Sequence, residues 1–129
     1  MGGLVTDTRY FTKPEDITPE SLNERFRRLY RAFNFLEVVS KTSAYTASVT
    51  DDVILGDATS GAFSVTLPTA VGVRGRRYTI KKTDSSGNAV TIDGAGSETI
   101  DGAATVALGT QYAFRTIVSN GSSWSVISS

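Results

Sequence analysis

The sequence predicts a mainly β protein with an N-terminal helix, and three observations lead to this fold class. Glycine is scarce in the first 44 residues, which hold two of the 12 glycines of the chain. The spacing of apolar residues changes near residue 44 from alternate steps of four and three to steps of two, so a helical pattern gives way to a strand pattern. Turn-forming Gly, Asn and Asp separate the later segments. We therefore expect an extended arm, a short trimeric coiled coil and a small antiparallel β-sandwich or β-prism domain.

Residues 1–17 are predicted to form an extended arm that anchors the chain to another protein. Pro14 and two glycines interrupt this segment, and its apolar residues follow no regular period. Aromatic side chains on such a segment are typically buried by a partner, which makes Tyr10 and Phe11 the candidate anchoring residues. The segment lacks the apolar stretch of a signal peptide, and the chain has no run of about 18 apolar residues that would predict a membrane span.

Residues 18–41 are predicted to form a trimerisation helix. Thr18 supplies an N-cap hydroxyl and Pro19 suits the first helical position. Leucine and phenylalanine then recur at heptad spacing and define what we call the Leu/Phe seam: Leu22, Phe26, Leu29, Phe33 and Leu36. Phenylalanine at the a positions crowds a two-stranded interface, which favours three strands. The alternative is that the same stripe packs on the protein's own β domain, as most amphipathic helices do.

Residues 45–129 are predicted to form the β domain. Apolar and polar residues alternate in seven segments, which is typical of half-buried strands. The segments are marked by Tyr45, Ala47 and Val49; Phe63, Val65 and Leu67; Tyr78, Ile80 and Lys82; Val90 and Ile92; Val106 and Leu108; Tyr112, Phe114, Thr116 and Val118; and Trp124 and Val126. Short strands at this spacing, separated by turn residues, favour a sandwich, barrel or prism.

The order of the turn and strand segments in this domain resembles a β module of tailed-bacteriophage fibre, spike and other virion proteins. The resemblance covers about residues 45–129 and is carried by Asp57–Pro68, Gly75–Asn88, Val90–Gly94, Glu98–Gly102 and Asn120–Trp124. It implies a trimeric structural or adhesive β domain on a virion rather than a catalyst, and it supplies no catalytic residues.

Composition excludes several classes of enzyme. The chain has no His and no Cys, so it cannot contain a Ser-His-Asp triad, a thiolate zinc site or an iron–sulfur cluster. Its 13 basic and 13 acidic residues balance, so net charge gives no long-range attraction to nucleic acid. We expect no catalytic residues, no cofactor and no metal site.

Three groups of residues in the β domain have side chains that occur in binding or catalytic sites. The basic residues between Arg74 and Lys82 would be divided between two faces by strand alternation, which argues against a nucleic-acid surface. The acidic residues of the β domain occur in turns, where carboxylates usually accept backbone amides rather than form a glycosidase pair. Among the aromatic residues, Trp124 is the candidate for contact with host glycan, because a glycine-serine turn immediately precedes it.

The sequence thus predicts a homotrimeric phage virion protein, a short fibre or spike whose residues 1–17 bind a capsid, collar or tail protein. A head or collar fibre, a capsid decoration and a tail appendage all remain open as its position on the particle. The alternative is a tail receptor-binding adhesin that recognises host surface polysaccharide.

Overall fold

The computed structural model describes residues 35–129, and within them it contains nine strands and no helix. The strands are β1 (Val38–Lys41), β2 (Tyr45–Thr46), β3 (Val53–Gly56), β4 (Phe63–Thr66), β5 (Arg77–Lys82), β6 (Val90–Asp93), β7 (Thr105–Leu108), β8 (Phe114–Ser119) and β9 (Trp124–Ser128). Residues 37–129 form one compact unit, which we call the β unit. The all-β part of the prediction is confirmed for this unit.

The strands form two mixed sheets, so the predicted antiparallel arrangement is wrong. One sheet has the order β1-β3-β5-β8-β9 and the other the order β2-β4-β6-β7. Pairing is parallel between β1, β3 and β5 and between β2, β4 and β6. Strand β7 pairs antiparallel with β6, and β8 pairs antiparallel with both β5 and β9. The first six strands alternate between the sheets, so strands two apart in sequence become neighbours and run in the same direction. A crossover through the other sheet thereby takes the place of the helix that usually joins parallel strands.

A single apolar core joins the two sheets. Buried side chains from the five-stranded sheet include Ile54, Ile80 and Ile117, and those from the four-stranded sheet include Val65 and Ile92. Each of these residues alternates with more exposed neighbours along its strand. The sequence predicted the buried face correctly for Val65, Ile80 and Ile92. For β8 the predicted face was wrong, because Phe114, Thr116 and Val118 lie on the outer face and Ile117 lies in the core. The burial of one face from each sheet stabilises the unit.

The boundary between the helical and β segments lies earlier than the sequence predicted. The helix was expected to continue to residue 41, but Val38–Lys41 form strand β1, and the β unit begins at Glu37 rather than at residue 45. The β-branched Val38 and Val39 suit a strand, and they pair in parallel with β3. The arm and residues 18–34 of the predicted helix lie outside the described residues.

Strand β3 was not predicted. Its sequence, Val53-Ile54-Leu55-Gly56, shows no alternation of apolar and polar residues. The structure places it between β1 and β5, with Ile54 in the core and Val53 and Leu55 on the opposite face. Because apolar residues lie on both faces of β3, its sequence lacks the alternation of apolar and polar residues that marked the other strands.

Candidate functional site

Most of the predicted interface residues lie outside the described part of the chain. These are the anchoring residues Tyr10 and Phe11 and the first four residues of the Leu/Phe seam, Leu22, Phe26, Leu29 and Phe33. Leu36, the last seam residue, is described: it precedes strand β1 in a non-helical segment and is 69% exposed. Its predicted role in a trimer interface stays a prediction.

Trp124 lies in the core, which argues against the predicted contact with glycan. Its side chain is 0% exposed, and its ring meets the ring of Tyr78 edge to face with centroids 5.6 Å apart. Trp124 is the first residue of β9 and points inward, while the glycine-serine turn before it remains at the surface. The turn therefore gave no information about the direction of the side chain that follows it. A buried indole offers no face on which a sugar ring can stack.

Tyr112 is the aromatic side chain that the β unit presents to solvent. It is 59% exposed, and its backbone φ of 66° places it in the left-handed region. The Lys81 ammonium lies 5.3 Å from the centroid of its ring, a cation–π arrangement. The alternation pattern had assigned Tyr112 to a strand, whereas the structure places it in the turn before β8. The exposed ring and its adjacent cation form the candidate contact site for a sugar or another polar ring.

Asp51 organises a cluster of polar groups at the turn between β2 and β3. Its carboxylate is buried and accepts hydrogen bonds from the Tyr45 hydroxyl at 2.5 Å and from the Ser48 amide at 2.8 Å. The Tyr78 hydroxyl donates to the Ser48 carbonyl at 3.0 Å. The hydrogen bond to Asp51 raises the pKa of Tyr45, and partial burial and the charge of Asp51 act in the same direction. This tyrosine is held as a hydrogen-bond donor.

Arg76 and Asp52 form an ion pair beside that cluster. Arg76 Nη1 lies 3.0 Å from Asp52 Oδ1, and the guanidinium also donates to the Asp51 carbonyl oxygen and stacks over the Tyr78 ring at 4.2 Å. The Glu37 amide donates to Asp52 Oδ2 at 2.8 Å. This amide is the main cause that lowers the pKa of Asp52, with a further contribution from Arg76. The pair fixes the start of β1 against the β2–β3 turn.

Lys82 and Asp84 form a second, more deeply buried ion pair. The Lys82 side chain is 0% exposed, and its ammonium lies 2.7 Å from Asp84 Oδ2. Asp84 also accepts hydrogen bonds from the Ala58 amide at 2.7 Å and from both the amide and the hydroxyl of Ser86. Desolvation raises the pKa of Asp84, but Lys82 and these hydrogen bonds outweigh it and hold the pKa well below its usual range. Asp84 is therefore ionised at neutral pH, and it anchors two loops.

Other carboxylates bind loops in the same way, which agrees with their predicted role as turn and capping groups. Asp57 accepts from the amide and hydroxyl of Thr59, two residues along its own turn. Glu98 accepts from the Ala70 amide and the Thr69 hydroxyl across 28 and 29 residues of sequence. Asp101, at a backbone φ of 49°, accepts from the Val126 amide. These acids stabilise the loops of the β unit by charge-assisted hydrogen bonds.

The basic residues near β5 are divided as the alternation predicted. Arg77 and Lys81 lie on the face opposite the core, whereas Lys82 is buried between the sheets and Arg76 is held by Asp52. The charges therefore do not form one continuous patch.

Within residues 35–129, no group of three or more acidic, His or Cys side chains is placed to hold a metal ion. In the same range, no helix has the length and apolar character needed to cross a bilayer.

No protein-family model matches the chain, and no curated protein matches it in sequence.

Proposed function

We propose that the protein is a structural component of a phage virion, a short homotrimeric fibre or spike. In this proposal residues 1–17 bind another virion protein through Tyr10 and Phe11, the Leu/Phe seam trimerises, and the β unit projects from the particle. The protein is not an enzyme and needs no cofactor or metal. The proposal allows a place on the head, the collar or the tail.

The observation that carries the proposal is that charged side chains of the β unit bind its own loops and one another. Asp51, Asp84 and Glu98 each accept backbone amides from loops that they hold in place. Arg76 and Lys82, two of the cations, are paired with Asp52 and Asp84. Charged groups that are hydrogen-bonded or ion-paired within the protein stabilise a rigid module rather than face a substrate. A rigid β module behind a segment with heptad spacing fits the virion proteins that the sequence resembles.

The anchoring role is tested by deleting residues 1–17 and measuring how much protein is incorporated into purified particles. The proposal predicts that incorporation is lost while the purified variant keeps the mass of a trimer. A matched variant, Tyr10→Ala with Phe11→Ala, is expected to reduce incorporation without shortening the arm. Normal incorporation of both variants would contradict the proposed anchor. Electron microscopy of labelled particles would show whether the protein lies on the head, the collar or the tail.

A tail receptor-binding adhesin is the second candidate, and the exposed Tyr112 favours it. A solvent-facing aromatic ring with a neighbouring cation is the type of surface on which sugar rings stack. We expect the purified full chain to bind host polysaccharide if this candidate is correct, and Tyr112→Ala to weaken that binding at least about fivefold. Tyr45→Phe, which keeps the ring and removes a hydroxyl bound to Asp51, is the control. Absence of polysaccharide binding, together with a location on the capsid, would exclude the adhesin.

A further inference from the structure

The two outer faces of the β unit differ in chemistry. On the four-stranded sheet, the residues that point away from the core are almost all short and polar: Thr46, Ser64, Thr66, Thr91, Asp93, Thr105 and Ala107. On the five-stranded sheet, the corresponding positions include six larger apolar residues: Val38, Val53, Leu55, Phe114, Val118 and Ile127. Threonine suits a strand that faces water, so the first face is built for solvent. The second is not.

The apolar residues of the five-stranded sheet do not belong to the core. Ile54 and Ile117, which alternate with them along β3 and β8, are fully buried between the sheets. Val38 and Ile127, at the two edges of this face, are 51% and 52% exposed. The other four, Val53, Leu55, Phe114 and Val118, are half-buried. Apolar side chains that cluster on an outer face mark an interaction surface.

The strand register places an uncharged row across the middle of this face. Val38 lies opposite Val53, Val53 opposite Thr79, and Thr79 opposite Thr116. The hydroxyls of Thr79 and Thr116 are 2.9 Å apart and hydrogen-bonded to each other, so neither needs water on the outer side. Arg77 and Lys81 occupy the flanking rows on either side. These flanking rows also hold Leu55, Phe114 and Val118. A central row without charge, next to rows that each carry one cation, is compatible with the low charge at the centre of protein interfaces.

We propose that this face, the outer face of the five-stranded sheet, contacts further copies of the same chain around the threefold axis of the homotrimer. The inference rests on the proposed trimer and names the surface of the β unit that forms it. In the sequence, the predicted seam ends just before this sheet begins. Leu36 is the last seam residue, and Val38, two positions later, is the first residue of the edge strand β1. A self-contact on this face thus continues the predicted interface along the chain.

The size of the face also argues for a contact that is completed by the preceding residues. With strands about 4.8 Å apart and a rise of about 3.3 Å per residue, three rows of side chains on five strands cover about 500 Å². A stable interface buries about 800 Å² on each partner. The face alone is therefore too small for a stable assembly, so the proposed trimer also requires a contact outside this face.

The test compares charge substitutions on the two outer faces of the full chain. Val53→Lys places a charge at the centre of the apolar face and is expected to raise the dissociation constant of the trimer at least about tenfold. Thr91→Lys places the same charge on an interior strand of the hydroxyl-rich face and should change it less than about threefold. Sedimentation equilibrium measures both. An unchanged trimer in Val53→Lys would overturn this inference while leaving the proposed trimer intact, whereas a monomeric wild-type chain would overturn the proposed trimer itself.

Cysteine cross-linking gives a second readout in case Val53→Lys fails to fold. The chain contains no Cys, so an introduced thiol is the only one present. Thr116→Cys, on the uncharged row, should form a disulfide between two chains under mild oxidation, and Thr91→Cys should not. Cross-linking of Thr91→Cys without that of Thr116→Cys would contradict the assignment.

Discussion

At the scale of single residues, the ion pair between Lys82 and Asp84 shows how the β unit holds its loops. The Lys82 ammonium is buried beneath the sheet, and Asp84 connects it to the backbone of Ala58 and Ser86. Ser86 and Asn88 in turn donate to the Ala58 carbonyl. A buried pair of this kind is costly to break from one side, because the remaining charge loses its partner.

We predict that Lys82→Met lowers the free energy of unfolding by about 3 kcal/mol, since it leaves the Asp84 carboxylate without its cation. The neighbouring substitution Lys81→Met is the control, because Lys81 lies on the outer face, where its ammonium lies near the exposed ring of Tyr112. That variant should differ from the wild type by less than about 0.5 kcal/mol. Urea denaturation measures both. Equal stability of the two variants would show that the buried pair contributes little.

Acid should weaken the fold through Asp84. The pKa of this carboxyl is lowered in the folded protein, so the unfolded chain takes up the proton first as the pH falls. The stabilisation is complete above the unfolded pKa of about 3.9 and is lost as the pH falls below it toward the folded pKa. Asp52 and Asp57, whose pKa values are also lowered, act in the same direction.

Asp84→Asn should therefore be most destabilising at neutral pH, and its difference from the wild type should shrink between about pH 5 and pH 2. Unfolding midpoints in urea across this range measure the difference. A constant difference at every pH would mean that the asparagine disturbs packing and that the carboxylate charge has no part in it.

Trp124 illustrates which residue-level features the sequence could and could not reveal. Its place in a strand was predictable from the alternation with Val126, and so was the turn before it. Its direction was not, because it is the first residue of β9 and the turn before it does not fix the phase of the strand. Its contact with Tyr78, on the inner face of the same sheet, shows that it points inward.

At the scale of secondary-structure elements, Gly56 allows the two sheets to approach each other. A Cβ added at Gly56 would lie 2.9 Å from a methyl carbon of Val90 and 3.2 Å from the Phe63 ring, both on the opposite sheet. The strand β3 therefore passes closer to the four-stranded sheet than any side chain would allow.

We predict that Gly56→Ala lowers the free energy of unfolding by about 1–3 kcal/mol, because the core is overpacked. Gly87→Ala is the matched control: a Cβ at Gly87 meets nothing within 4 Å. Thermal unfolding monitored by circular dichroism compares the two. If Gly56→Ala were as stable as Gly87→Ala, the sheets would be able to separate without cost.

The strands that could be predicted from sequence are those with one face in the core and one in water. Strand β5 shows this pattern clearly, with Tyr78, Ile80 and Lys82 buried and the residues between them more exposed. Strands β1 and β3 break the pattern, since Val38, Val53 and Leu55 are apolar residues on an outer face. The proposed trimer surface therefore includes both unpredicted strands, together with β5, β8 and β9.

The parallel pairing could not be predicted, because alternation fixes which face of a strand is buried and not which strand lies beside it. The turn sequences suggested hairpins, and β6–β7 and β8–β9 are indeed antiparallel neighbours. The crossovers between the sheets, such as β3 to β4, look the same in sequence as hairpin turns.

The Leu/Phe seam also leads to a prediction about the oligomeric state. Phe26→Asp with Phe33→Asp should convert the trimer to a monomer, because two carboxylates would be placed in an apolar seam. Arg27→Asp with Asn34→Asp, one residue after each phenylalanine and off the seam, should leave the trimer in place. Sedimentation velocity distinguishes the species. A trimeric Phe26→Asp, Phe33→Asp variant would remove the seam from the proposed interface.

At the scale of the whole molecule, the proposed function depends on a β unit that is rigid but incomplete. The unit has a shared core, loops fixed by buried carboxylates and one outer face of threonines that suits water. Its other outer face is apolar at positions where a solitary domain would carry polar residues. The proposed self-association would account for both kinds of face in one small unit.

The mass of the full-length chain in solution tests this account most directly. Light scattering coupled to size-exclusion chromatography should give three times the 13.7 kDa of one chain, and the value should persist on dilution to low micromolar concentration. A particle with the mass of one chain would contradict the trimer and, with it, both the proposed virion fibre and the role assigned to the apolar sheet face.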